Sequence, residues 1–98
     1  MNAEALSPCE ADRVFRALGD ATRRDILART AVEERSVSEL ARHYDLTFAA
    51  VQKHVAVLER AGLLVRRARG RERVARMDPE MLARASRLLR ELDGEACD

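Results

Sequence analysis

Cys9, Ala11, Val14, Phe15 and Leu18 recur at the spacing of one helix face, and Gly19 ends that segment. Asp20 is suited to cap a second helix that turns Ile26 and Leu27 inward. Glu33-Glu34-Arg35 is a polar break. Ser36 and Glu39 then form a capping-box pair, which opens a short helix running to about Tyr44 with Leu40 and Ala41 on its buried side. After a brief turn at Asp45-Leu46, Thr47 caps the longest regular segment, and Leu46 is placed to staple onto Val51. Val51, Val55 and Leu58 form its apolar stripe. Ala61-Gly62 closes it, because glycine suits the left-handed position that follows a helix. Two helices over 36–44 and 47–61, joined by so short a turn, predict a helix-turn-helix.

Leu63-Leu64-Val65 begins a strand-like stretch, and Gly70 is the turn residue available for a hairpin reversing near Arg69-Gly70-Arg71 and returning through Val74 to Met77. Asp78-Pro79-Glu80 restarts a helix with a cap, a proline at the first position and an acid near the positive helix end. Met81, Leu82, Ala85, Leu88, Leu89 and Leu92 make its apolar side. The predicted fold is mainly α with a small β-hairpin wing, a winged helix-turn-helix. The domain is expected over 9–93, after a flexible arm at 1–8 and before a tail at 94–98.

A chain of 98 residues is one domain of marginal size, for which association with a second copy is an available source of stability. Phe15, Tyr44 and Phe48 are its only aromatics, so aliphatic side chains must fill the core, which suits packed helices. No apolar run approaches the ~20 residues of a membrane span, and no basic-then-apolar leader is present; the expectation is a soluble, cytoplasmic protein without a membrane partner.

The net charge of +1 conceals a strong division. Residues 1–45 carry seven arginines against nine acids, and residues 78–98 carry three arginines against six acids. Between them, residues 46–77 carry Lys53 and seven arginines against Glu59 and Glu72. A basic middle between acidic flanks is the footprint that a phosphate backbone attracts. Thr47, Phe48, Ala49, Gln52 and Lys53 are the non-core positions at the start of the second helix of the pair, where a recognition helix meets base edges. Gln52 can pair with adenine, Lys53 can reach guanine or phosphate, and Thr47 can bond a phosphate. Arg66, Arg67, Arg69, Arg71 and Arg73 surround the hairpin tip. Like charges so close together are expected to repel unless a polyanion neutralises them. Double-stranded DNA is the expected partner; the competing reading is a winged-helix protein-interaction module without DNA binding.

The stretch Val14-Phe15-Arg16-Ala17-Leu18-Gly19-Asp20-Ala21-Thr22-Arg23-Arg24-Asp25-Ile26-Leu27 resembles the opening of arsenic-repressor-type (ArsR) regulators. Val37-Ser38-Glu39-Leu40-Ala41 and the run from Ala50 to Leu64 resemble their helix-turn-helix, and Arg69-Gly70-Arg71 fits their wing. Gln52 departs from the serine more frequent there. The resemblance spans roughly residues 10–92. It implies a homodimeric transcriptional regulator, usually a repressor, that binds an inverted repeat. It also implies dimerisation through the first and last helices, which places Val14, Phe15, Leu82, Ala85, Leu89 and Leu92 at the contact.

Metal-sensing members carry cysteines on the first helix of the pair, or acids and histidines on the last. Here Glu39-Leu40-Ala41-Arg42 holds no thiol, the last helix holds no histidine, and His43 and His54 lie on different helices. No metal and no cofactor are expected. Cys9 and Cys97 sit at opposite ends of the chain, as free thiols or, if the terminal helices pack together, as a redox-sensitive pair. No nucleophile-base-acid set or phosphate-binding glycine loop can be assembled, so no enzymatic activity is read.

Overall fold

The computed structural model describes residues 5–94. In chain order the elements are α1 (Pro8–Leu18), α2 (Ala21–Val32), β1 (Arg35–Ser36), α3 (Val37–Ala41), α4 (Phe48–Arg60), β2 (Leu64–Arg69), β3 (Glu72–Met77) and α5 (Pro79–Leu92). The strands form one antiparallel sheet in the order β1-β3-β2. Helix-turn-helix and wing are therefore as the sequence predicts.

Each helix starts where a side chain takes up free backbone N–H groups. Asp20 accepts from Arg23, Ser36 from Glu39, Thr47 from Ala50 and Asp78 from Glu80. The end of α4 is equally well determined. Leu63 N–H donates to the Leu58 carbonyl and Gly62 N–H to the Glu59 carbonyl, both at 3.0 Å. Gly62 adopts φ +80°, the left-handed residue of a Schellman motif, and Leu58 and Leu63 meet in the core beside it. A β-carbon on Gly62 would also lie 2.9 Å from the Met81 Cε, the flexible end of a side chain that could shift, so it is the positive φ that calls for glycine here.

The core lies between α1, α2, α4 and the sheet. Val14, Ile26, Leu40, Val51, Val55, Leu58 and Leu63 are fully buried. At roughly 1.5–3 kcal/mol for each large buried side chain, these contacts fix the orientation of α4.

Some local details go beyond or differ from the sequence reading. Ser7 and Pro8 open α1: Ser7 and Glu10 form a capping box, Pro8 takes the first helical position, and Leu6 packs on the core. α3 ends at Ala41 instead of Tyr44, and a turn follows. Leu46 remains 43% exposed, so its expected staple onto buried Val51 covers little surface. β1 has only two residues and no pattern of its own; it exists by pairing Arg35 with Ala75 and Ser36 with Val74.

Candidate nucleic-acid interface

The inner face of α4 is locked by Val51, Val55 and Leu58, so the residues around the rest of its circumference are turned outward. Phe48 is 50% exposed, and Ala49, Gln52 and Lys53 are exposed beside it. Among the described residues, no hydrogen bond or ion pair engages the side chains of Gln52 or Lys53. Thr47 is committed to capping, its hydroxyl 3.0 Å from the Ala50 N–H. All five residues expected to meet DNA from this helix thus lie on one exposed end.

Two polar clusters hold that helix pair in place. Arg23 donates to the Ala17 carbonyl at 2.8 Å and the Arg16 carbonyl at 3.1 Å, while its third nitrogen lies 3.2 Å from His54 Nδ1 on α4. Asp20 completes the cluster, 3.9 Å from the same ring nitrogen. Its carboxyl is held below the ordinary range, chiefly by the Arg23 backbone N–H. In the second cluster Tyr44 donates to Asp25 at 2.6 Å and Arg29 donates to the same oxygen at 2.7 Å, fastening the turn before α4 to α2. These two donors lower the Asp25 pKa, whereas partial burial pushes the Tyr44 hydroxyl up to about 12. Neither Arg23 nor Tyr44 was expected at the site. The only sequence signal for them is the arginine pair after the Asp20 cap and the lone tyrosine in the turn.

The hairpin turns through Gly70 and Arg71, with Arg69 paired to Glu72. Gly70 takes φ +63°, the glycine-first form of a two-residue turn. Its arginines do not form a bare positive cluster. Arg67 bonds Glu34 through two nitrogens at 2.7 and 2.6 Å. Arg69 reaches Glu39 at 3.3 Å and Glu72 at 3.1 Å, and Arg66 lies 3.6 Å from Glu59. The expected mutual repulsion is therefore answered from within the chain, largely by acids outside the hairpin. The Arg67 hydrogen bonds hold the Glu34 carboxyl below its usual range; for Glu39 the Ser36 backbone N–H is the larger cause and Arg69 adds to it. Arg71 and Arg73 are exposed and have no such partner among the described residues.

Helix and wing converge. Phe48 and Gln52 of α4, Ser38 of α3, and Arg66 and Arg73 of the wing line one shallow concavity of about 240 Å³. The side-chain Nε of Arg66 is buried without a hydrogen-bond partner there.

The residues expected at a dimer contact divide sharply. Val14 is 0% and Ala85 2% exposed, both packed into this chain's own core, although Ala85 also lines a groove beside Leu82 and Leu89. Phe15 and Leu82 are half-buried against that core. Leu89 and Leu92 are 53% and 76% exposed. Cys9 is an exposed free thiol, and Cys97 lies outside the described residues. Among the described residues no group of three or more His, Cys, Asp or Glu is placed to hold a metal ion, and no helix is long and apolar enough to cross a membrane.

A helix-turn-helix domain family matches residues 18–67. The chain is 43% identical over 72 residues to the HTH-type transcriptional regulator Rv2034 of Mycobacterium tuberculosis, covering 74% of this chain and 67% of that one. The crystal structure of the ArsR family transcriptional regulator RHA00566 superposes with a TM-score of 0.82 at 31% identity, covering 92% of this chain and 93% of that one. This chain belongs to the ArsR-type winged helix-turn-helix regulators. As an ArsR-type protein it is a DNA-binding transcriptional regulator. A further ArsR-type neighbour is the homodimeric winged helix-turn-helix DNA-binding domain of a possible ArsR-family regulator from Mycobacterium bovis. It has a TM-score of 0.70 at 26% identity and covers 91% of this chain and 82% of that one.

Proposed function

We propose that this regulator acts as a homodimeric repressor on an inverted-repeat operator. The observation that carries the reading is the shared concavity: the exposed start of α4 and the arginine-bearing wing open onto one surface. In that arrangement α4 enters the major groove, Gln52 and Lys53 meet base edges, Phe48 and Ala49 meet thymine methyl groups, and Thr47 lies at the backbone. Arg71 and Arg73 carry the wing's contact with phosphates or the minor groove.

The dimer is supported by the side of α5 that the described residues leave uncovered. Leu89 borders a mostly apolar groove of about 460 Å³ that also includes Leu18, Met77 and Leu82, and Leu92, one turn further along α5, is exposed. A second copy covering this face through Leu82, Leu89, Leu92 and Phe15 would set two recognition helices about one DNA turn, ~34 Å, apart. Sedimentation is expected to show a dimer at micromolar concentration. Leu89→Glu together with Leu92→Glu is expected to yield folded monomers with greatly reduced DNA affinity; a wild-type monomer would overturn the dimer. Repression is tested with a reporter promoter carrying the selected binding site, whose output is expected to fall when the protein is supplied. A rise would make the regulator an activator.

A further inference from the structure

Arg69, next to the hairpin turn, is the wing arginine with the densest counter-charge. Its Nη2 lies 3.3 Å from Glu39 and 3.1 Å from Glu72. Two carboxylates around one guanidinium more than offset the charge of Arg69 itself. Glu39 comes from α3, thirty residues earlier in the chain, so this is not an accident of neighbouring hairpin positions. Nor is Glu39 there only for α3. One of its oxygens, Oε1, accepts the Ser36 N–H at 2.7 Å and also meets Arg69, so the capping carboxylate is shared with the wing.

The contrast with Arg67 sharpens the point. Arg67 stands three positions before Gly70, about 10 Å back along the strand, and its two bonds to Glu34 strap the ribbon's base to the chain preceding β1. Arg69 is within side-chain reach of whatever the tip touches.

We propose that Glu39 and Glu72 are built-in competitors of DNA phosphate for Arg69, and that by withholding this arginine they lower the affinity of the wing for DNA of any sequence. The proposal rests on the reading of the wing as a DNA-contacting element. A phosphate must displace or repel two carboxylates to use Arg69, and that cost is the same on every sequence. It therefore falls hardest where α4 gains nothing from the bases. Suppressing non-specific binding in this way raises the ratio between operator and bulk DNA, the quantity that matters among very many competing sites.

The test uses the full chain and a fluorescent duplex of mixed sequence, about 30 base pairs long, enough for two half-sites one turn apart. Glu39→Gln keeps an acceptor for the Ser36 N–H, so α3 stays capped while the charge is removed. Glu39→Gln and Glu72→Gln are each expected to tighten binding by about two- to fivefold, the worth of one exposed ion pair, and the double variant more than either. Glu80→Gln, which makes the same change of net charge on α5, is expected to move affinity less. With Arg69→Gln in the background, the gains are expected to disappear. Unchanged or weaker binding by the Glu39 and Glu72 variants would overturn the proposal, showing that the acids are idle or that they hold Arg69 ready for DNA. Equal gains from Glu80→Gln, or gains that survive Arg69→Gln, would also overturn it and assign the effect to overall charge. Failure of the functional reading looks different: folded wild-type protein, checked by circular dichroism, would bind no DNA at low salt.

Discussion

The start of α4 and the hairpin wing share one surface but are prepared for it in opposite ways. On α4 the inner side chains are fully buried while Gln52 and Lys53 stand free of protein partners. Packing sets the helix, and its outward groups are left open for whatever they meet. On the wing, Arg66, Arg67 and Arg69 are already answered by Glu59, Glu34, Glu39 and Glu72, whereas Arg71 and Arg73 near the tip have no such partner among the described residues. In the proposed reading, residues that distinguish sequences are kept uncommitted, whereas residues that attract any phosphate are partly neutralised in advance. A run of arginines is therefore a poor measure of available charge until the acids folded against it are known.

The largest expected effect separates how the two regions are held. Leu58→Ala removes a fully buried side chain beneath α4 and is expected to cost about 2–5 kcal/mol of stability in chemical denaturation. Arg67→Gln, which cuts the strap to Glu34, is expected to cost about 1 kcal/mol or less because the Arg67 end of the pair is largely exposed. Comparable losses would mean that the ion pairs, not the core, carry the architecture.

The next effect separates what the regions do. Gln52→Ala is expected to weaken binding to the preferred site by about 1–3 kcal/mol while leaving mixed-sequence DNA nearly unaffected. Arg71→Ala combined with Arg73→Ala is expected to weaken both alike and to reduce the slope of log K against log salt by about 0.9 for each lost contact. Loss of sequence preference in the arginine variant, or uniform loss in the Gln52 variant, would exchange the two roles.

The smallest effect is on pH. Asp20, Asp25 and Glu39 all have folded pKa values below their ordinary ones, because backbone N–H groups, Tyr44 or arginines favour the charged form. Their contribution is present above the unfolded pKa values, about 4, and is lost as pH falls through the lower folded values. Tyr44 acts with the opposite sign: its folded pKa is raised to about 12, so its share is present below the unfolded value of about 10 and fades as pH rises between the two. Thermal unfolding is expected to show a plateau from these groups near neutrality, with Asp25→Asn flattening the acid limb. An unchanged acid limb in that variant would mean the Asp25 cluster does not couple the turn to stability.

Much of the fold was legible because its signals are local. Asp20, Ser36-Glu39, Thr47 and Asp78-Pro79 mark helix starts within four residues, and Gly62 and Gly70 mark the two places where φ is positive before and within the hairpin. Ser7-Pro8-Cys9-Glu10 carries the same kind of signal, but it lies before the apolar periodicity begins, so it reads as an arm. β1 was illegible because two residues set no period; its partners on β3 are almost forty positions away. The exposed residues of α4 follow from helical geometry alone. The state of the wing does not, since Glu34 and Glu39 reach Arg67 and Arg69 across 33 and 30 residues, and no spacing rule connects them. Nor does spacing separate Val14 and Ala85, buried on the inner edge of an apolar stripe, from their more exposed neighbours.

The division between a reading helix and an attracting wing is tested most directly by selecting bound sequences from a random DNA pool with wild-type protein and with Gln52→Ala. The wild type is expected to enrich an inverted repeat whose half-sites lie about one helical turn, roughly 10 base pairs, apart. Gln52→Ala is expected to enrich the same repeat with relaxed choice at one position in each half-site. A wild-type pool without enrichment, or an identical motif from both proteins, would contradict the assignment of base readout to this face of α4.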